Sequence, residues 1–245
     1  MTSTLNIAAY RFVAIAEPVS VVERIRGWCE ELQLKGTVLV APEGLNLFLA
    51  GPPDAIHAFL GRLGEDRRFA DLPVKFSDSA AVPFRRLRVR LKREIISFRK
   101  HEIAPASGRA RTLAPERLRD WLRQGRDDHG RELLLLDTRN RQEVLHGSFA
   151  GAMTLPIDRF TELPAALDAR REQLRGKTVV SFCTGGIRCE KAALWMDQSG
   201  YEHVWQLDGG ILGYFEQVGA EAYSGHCFVF DERVALDPQL QPLQA

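Results

Sequence analysis

Nothing in this 245-residue chain approaches the roughly 20 consecutive apolar residues of a membrane-spanning helix. The start, Met1-Thr2-Ser3-Thr4-Leu5, also lacks the basic and then apolar pattern of an export signal, so no membrane association is expected and the cytoplasm is the expected compartment. Cysteine is scarce. The four present, Cys29, Cys183, Cys189 and Cys227, include no Cys-x-x-Cys pair, which points to reduced thiols rather than a disulfide framework. The six histidines are scattered without zinc spacing, and His226-Cys227 alone is too little to hold an ion, so no metal site is expected. There is no nicotinamide or flavin fingerprint and no facial triad of metal ligands, so no cofactor is recognisable. Excess charge of either sign is missing too: the net charge of +1, with 45% hydrophobic and 27% charged residues, is that of a soluble globular protein.

What is present is enough for two domains, each with its own core. Leu5 to Ile15 is rich in β-formers and reads as a strand. Ser20 is placed as the N-cap of a helix over Val21 to Leu34, where Val22, Ile25, Trp28, Cys29 and Leu32 recur at helical spacing; Cys29 on that face is core. Thr37 to Val40 and Leu45 to Ala50, punctuated by Pro42-Glu43-Gly44, predict a β-hairpin. Asp54 is placed as the cap of a second helix with Ile56, Phe59, Leu60 and Leu63 as its buried stripe, Pro73 to Phe76 resumes extended structure, and Phe84 to Phe98 reads as further strand. The order β-α-β-β-α-β predicts a ferredoxin-like α+β domain over residues 1–100.

Within Phe84 to Phe98, Leu87, Val89 and Leu91 alternate with Arg86, Arg88, Arg90 and Lys92. Period two puts the aliphatic set on one face and four cations on the other. The basic character continues through Arg99, Lys100, Arg109 and Arg111, and it fits either a solvated strand or a grip on RNA. The aromatic pattern of an RNA-recognition sheet is absent, so such a grip would fall mainly on phosphates.

Residues 101–112, with Pro105, Ser107 and Gly108, read as a linker. Residues 113–220 then alternate helix and strand: a helix opening at Pro115, a buried strand over Leu133 to Leu136, an extended piece at Thr154 to Ile157, a helix over Leu163 to Leu174, a strand over Thr178 to Phe182, a helix ending near Gly200 and a strand over His203 to Leu207. This pattern predicts an α/β domain with a parallel sheet, whose reactive groups gather at the carboxyl ends of strands. Residues 221–245 form a C-terminal extension.

Cys183 lies at such a strand end, in the stretch Cys183-Thr184-Gly185-Gly186-Ile187-Arg188-Cys189-Glu190-Lys191. Only the thiolate attacks, and a free cysteine with a pKa of about 8.5 is mostly protonated at neutral pH. Backbone N–H groups of a turn opening a helix favour the anion, Gly185 and Gly186 allow the loop to curl with positive φ, and Arg188 adds a fixed positive charge. The loop reads as an anion cradle around a sulfur. Taken alone, it fits a buried structural cysteine beside a glycine turn equally well.

Leu136-Asp137-Thr138-Arg139 with Glu143, Gly147 to Ala152 with Pro156, the Cys183 to Arg188 loop, and Leu207-Asp208-Gly209-Gly210-Ile211 occur in the order of a rhodanese domain, which the second half resembles. Four residues separate Cys183 from Arg188, as in the sulfur-transferring branch; the phosphatase relatives have a longer loop. With Leu39-Val40-Ala41-Pro42-Glu43-Gly44-Leu45-Asn46 and the tail Cys227-Phe228-Val229-Phe230-Asp231-Glu232-Arg233-Val234, the whole chain resembles the bacterial tRNA uridine-34 hydroxylase family. The sequence departs from many relatives at Leu47-Phe48 and lacks the cysteine-rich extension of longer members, so no activity depending on that extension is expected.

The resemblance implies a tRNA partner, oxygen-dependent conversion of the wobble uridine to 5-hydroxyuridine, molecular oxygen as co-substrate, a reductant the sequence leaves open, and Cys183 as the essential residue. One route has the Cys183 thiolate add to C6 of the uracil and make C5 enolate-like, with Arg188 and the loop amides stabilising negative charge; another has Cys183 act as a persulfide or oxidised sulfur. A plain sulfurtransferase carrying a Cys183 persulfide is the alternative activity. Asp137 and Arg139 are expected to hold the loop, unless Arg139 simply pairs with Glu143. Cys189, one helical turn on, is expected to pack the helix start, with resolution of an oxidised Cys183 as the second reading. The sequence sets no oligomeric state.

Overall fold

The computed structural model describes residues 4–108 and 110–243. Arg109, read above as part of the basic run, lies outside them, as do Met1-Thr2-Ser3. Two compact units result: the residues up to Ile96 with Asp231–Arg233, and Ser97–Phe230 with the residues from Val234 on.

The first unit runs β1 (Thr4–Phe12), α1 (Pro18–Glu31), β2 (Lys35–Ala41), β3 (Gly44–Gly51), α2 (Pro53–Gly64), β4 (Val74–Ser79) and β5 (Leu87–Leu91). Its sheet order, β4-β1-β3-β2-β5, is the ferredoxin-like arrangement with one added edge strand, β5, parallel to β2. Val21, Val22, Ile25 and Cys29 of α1 and Ile56, Phe59 and Leu63 of α2 form the apolar stripes that bury against Val38, Val40, Leu45, Leu47 and Leu49. Each such side chain contributes about 1.5–3 kcal/mol when fully buried.

Several boundaries differ from the sequence reading. α1 begins two residues before Ser20, because Pro18 has the fixed φ suited to a first helical turn and Glu17 takes the cap position. α2 likewise starts at Pro53, so Asp54 sits inside the first turn rather than capping it. The strand expected over Phe84 to Phe98 is only Leu87–Leu91. Beyond it the chain is held by side chains of the β2–β3 hairpin: the Ile95 N–H donates to Glu43 Oε1 at 2.7 Å and Asn46 Nδ2 donates to the Ile95 carbonyl at 3.2 Å.

The second unit comprises β6 (Thr112–Leu113), α3 (Pro115–Gln124), β7 (Leu133–Asp137), α4 (Arg141–Val144), β8 (Gly147–Phe149), β9 (Met153–Thr154), α5 (Leu163–Asp168), α6 (Arg171–Leu174), β10 (Thr178–Phe182), α7 (Ile187–Gln198), β11 (Val204–Leu207), α8 (Gly210–Gln217), β12 (Tyr223–Gly225), β13 (Cys227–Phe228) and β14 (Ala235–Leu236). A parallel sheet of order β6-β11-β10-β7-β9 forms its centre. Strand β10 is buried along its whole length, as its β-branched run requires. The register Phe182↔Asp137 brings the carboxyl ends of β10 and β7 side by side.

Residues 101–112, read as a linker, lie inside this unit: Ile103 is buried and Thr112 pairs with Gln206 of β11. The extension after residue 220 is also integral, with β12 antiparallel to β8 and Tyr223, Cys227, Val229 and Leu236 in the core. The helix expected over Leu163 to Leu174 is broken into α5 and α6. Among the described residues, no helix is long and apolar enough to cross a membrane.

Candidate active site: a thiol in a loop gripped from behind

Cys183 follows the last residue of β10, and the loop 183–186 leads directly into α7. Its thiol is fully buried. The Gly186 N–H donates to Cys183 Sγ at 3.1 Å, from a residue at φ +100° that stands at the N-cap of α7. Only Gly186 needs the left-handed region. Gly185 does not adopt positive φ, and a Cβ there would meet open space, so the expectation that both glycines curl the loop holds for one of them.

The loop is held from its outer side by α8. The Ile211 N–H donates to the Cys183 carbonyl at 2.9 Å and the Leu212 N–H to the Thr184 carbonyl at 3.0 Å. These are two of the N–H groups a helix start leaves without an intrahelical partner. By fixing the carbonyls outward, they leave the loop amides turned toward the sulfur. Gly210 makes this approach possible: a Cβ on it would lie 2.5 Å from the Cys183 carbonyl oxygen. The Gly209-Gly210 pair opening a helix was the available sequence signal for this contact.

Burial alone would raise the Cys183 pKa, but the opposing interactions win and pull it down to about 5. They are a hydrogen bond from Cys189, the charge of Arg188, and the Arg188 and Gly186 backbone N–H groups. The Thr138 hydroxyl donates to the Phe182 carbonyl at 3.0 Å and lies 3.6 Å from Cys189 Sγ. Burial, with the Cys183 thiolate beside it, keeps the pKa of Cys189 well above the ordinary value, so Cys189 holds its proton and offers it to Cys183. Cys189 therefore acts on the Cys183 sulfur as well as packing the helix start.

Arg188 is buried and pairs through both terminal nitrogens with Glu143, each contact 2.6 Å. Glu143 is set by α4, where its carboxylate also accepts the Asn140 N–H at 3.1 Å. This replaces the Arg139–Glu143 pair considered from sequence. Arg139 instead bonds Asp137 through Nε at 2.9 Å and Nη2 at 2.6 Å, and donates from Nη2 to the Gly147 carbonyl at 2.6 Å. Ser148 Oγ completes the group by donating to Asp137 Oδ2 at 2.8 Å. Both arginines are desolvated, yet their carboxylate partners hold them firmly protonated. Asp137 and Arg139 thus tie β7 to β8 beside the loop, while Glu143 and Arg188 set the field at the sulfur.

Of the remaining loop residues, Ile187 opens α7 and Thr184 Oγ1 donates to the Phe228 carbonyl at 3.5 Å. The Thr184 hydroxyl also lowers the pKa of Cys227, but burial dominates and pushes that thiol up to about 12, leaving it protonated. The cations Arg86, Arg88, Arg90 and Lys92 are exposed along β5 in the first unit, where Arg26 of α1 joins them by donating to the Val89 carbonyl at 2.9 Å. Val89 is buried as the alternation requires, whereas Leu91 is exposed. Sequence reading placed Ser148 and Gly210 inside the motifs of the resemblance without a role of their own, and passed over the Glu143–Arg188 pairing. For Glu143 the signal was Asn140 three residues earlier, a helix-start spacing that fixes where its side chain points.

Residues 4–95 match the family described as UPF0176 acylphosphatase like domain, and residues 115–217 match the Rhodanese-like domain. A curated relative from Xanthomonas euvesicatoria named tRNA uridine(34) hydroxylase is 59% identical over 239 residues, covering 98% of this chain and 96% of its own. One of the same name from Xylella fastidiosa is 59% identical over 239 residues, covering 98% of this chain and 93% of its own. Among solved structures, a Saccharomyces cerevisiae homolog of single-domain rhodanese and the Cdc25 phosphatase catalytic domain covers 47% of this chain and 87% of its own, at 17% identity and a TM-score of 0.40.

Proposed function

The chain belongs to the tRNA uridine(34) hydroxylase family, and from that premise we propose that it hydroxylates uridine 34 of tRNA at C5 with Cys183 as the reacting group. The observation that carries the role of Cys183 is a buried thiol at the end of β10 that accepts the Gly186 N–H at 3.1 Å, beside the charge of Arg188, an arrangement that favours the thiolate. A thiolate of this kind adds to C6 of the uracil, and the electron pair displaced onto C5 and O4 makes C5 the site of attack on dioxygen. One oxygen atom is retained as the hydroxyl and the other leaves as water, so two electrons and two protons are required from a reductant. Loss of the C5 proton and expulsion of the Cys183 thiolate from C6 restore the ring and the enzyme.

Arg188, held by Glu143 through both terminal nitrogens, acts on the sulfur through its charge. Because Cys183 is fully buried, the covering side chains must part when the uracil enters. The exposed cations of β5 suit the phosphates of tRNA, and replacing Arg86, Arg88 and Arg90 with alanine should weaken tRNA binding and flatten its salt dependence. Unchanged binding would make the stripe a solvated face.

Nucleoside mass spectrometry of tRNA from cells lacking the protein, complemented with wild type or Cys183→Ala, tests the function. Loss of 5-hydroxyuridine derivatives restored only by wild type is expected. An unchanged profile, with persulfide on Cys183 of the purified protein, would instead assign the rhodanese-type sulfur transfer.

A further inference from the structure

Three aromatic side chains, His146, Phe228 and Phe230, take no part in the chemistry above, and one of them, Phe228, meets the cysteine loop through its backbone carbonyl. Phe230 is 62% exposed. Its ring meets Phe228 edge-to-face with centroids 5.0 Å apart, and Phe228 in turn meets His146 at 5.2 Å. A single exposed phenylalanine needs no explanation. This one ends a ladder of rings whose backbone is fixed on several sides: the His226 N–H donates to the His146 carbonyl at 2.7 Å, Phe228 pairs with Ala235 in the β13–β14 ladder, and the Val229 N–H donates to the Val234 carbonyl at 2.9 Å.

The ladder is tied to the reactive loop by the Thr184 hydroxyl, which donates to the Phe228 carbonyl. Thr184 is the neighbour of Cys183 in the chain, and Phe230 lies two residues beyond Phe228, a span of about 7 Å at most. An exposed ring, packed on one side against Phe228, therefore stands within about one or two extended nucleotides of the sulfur.

We propose that the His146–Phe228–Phe230 ladder is a stacking platform for a base next to the uridine that reacts at Cys183, with Phe230 as the ring the base covers. The inference rests on the tRNA reading above. Unpaired bases of RNA loops are held by aromatic faces because every base has a π-face to offer, and stacking is tolerant of sequence. A platform for the neighbouring base holds the strand while the target uracil turns into the site. It supplies aromatic contact that the basic strand β5, with no exposed aromatic of its own, does not.

The test compares full-length Phe230→Ala, Phe230→Leu and Phe230→Trp in hydroxylation of tRNA. Alkylation of Cys183 by iodoacetamide serves as a separate measure of the loop. The alanine and leucine variants should raise KM for tRNA about 5- to 100-fold, the range set by loss of one base–aromatic stack, with the alkylation rate unmoved. The tryptophan variant should keep the wild-type KM, and its added fluorescence should be quenched by a single-stranded anticodon-loop RNA. A wild-type KM in Phe230→Ala would overturn the platform while leaving the hydroxylase reading intact. Restoration by leucine would reduce it to a greasy contact, and loss of self-association in Phe230→Ala with KM unchanged would assign the patch to a second copy; either outcome overturns stacking. A wild-type protein that does not act on tRNA would overturn both readings.

Discussion

Replacing Gly210 with alanine tests whether α8 organises the cysteine loop. The added Cβ would lie 2.5 Å from the Cys183 carbonyl oxygen and 2.8 Å from both the Gly186 nitrogen and the Thr184 carbonyl oxygen. All three are backbone atoms, so no side chain can swing away. Gly210 also has φ +62°, a conformation that costs an L-residue about 1–2 kcal/mol. Relieving the overlap in a packed interior costs roughly 1–3 kcal/mol more. The sum, about 2–5 kcal/mol, corresponds to a fall in Tm on the order of 10 °C for a unit of this size. More diagnostic is the thiol. If α8 is pushed back, the Ile211 and Leu212 N–H groups lose the loop carbonyls, the amides turn away from the sulfur, and the Cys183 pKa rises. Calorimetry gives the first quantity and the pH dependence of iodoacetamide alkylation gives the second. A Gly210→Ala protein that melts and titrates as wild type would refute the account of the loop.

Cys189→Ala should raise the Cys183 pKa by removing a donor, whereas Cys189→Ser should largely keep it low; equal titration of both variants would remove Cys189 from the account. Glu143→Gln leaves the buried Arg188 guanidinium without its carboxylate, and a loss of about 3–5 kcal/mol in denaturant unfolding is expected; a loss below that of an ordinary surface substitution would contradict the buried pairing. The lowered pKa of Cys183 also sets a pH dependence. The unfolded thiol, with a reference pKa of 9.0, binds more protons than the folded one between about pH 5 and 9, so this group's stabilisation is complete above pH 9 and is lost as pH falls through about 5. The stability difference between wild type and Cys183→Ser should therefore grow from pH 5 to 9; a flat difference would show that the folded thiol is not ionised. Cys189, shifted the other way, acts on stability only above its unfolded pKa.

The strand–loop–helix around Cys183 was legible in the sequence because each part is specified locally: a β-branched run, a glycine at the turn, then helix formers. The ferredoxin-like order was legible for the same reason, since α1 and α2 carry apolar stripes at helical period. Pairings between segments were not. Arg188 and Glu143 are 45 residues apart in the chain, and although Asn140 signals where Glu143 points, it does not say which arginine meets it. Composition misled at 101–112, where Pro105 and Gly108 suggest a free linker but Ile103 and Leu113 are buried. Alternation misled after Leu91, because side chains of Glu43 and Asn46 hold Ile95 where a strand partner was expected.

The rhodanese match stops at residue 217, yet Tyr223, Cys227, Val229 and Leu236 complete the same core and β12 closes against β8. The order of synthesis follows from this. The first unit's helices and all but three residues of its chain lie at or before Ile96, so its core can form while the remainder is still being translated. The second unit must wait for residues 223–236, because β12 and the side chains of Tyr223, Cys227, Val229 and Leu236 complete its core. A chain ending prematurely in this region would be a folding failure with an exposed core, and the cell would meet it as a substrate for proteolysis rather than as a weakened enzyme.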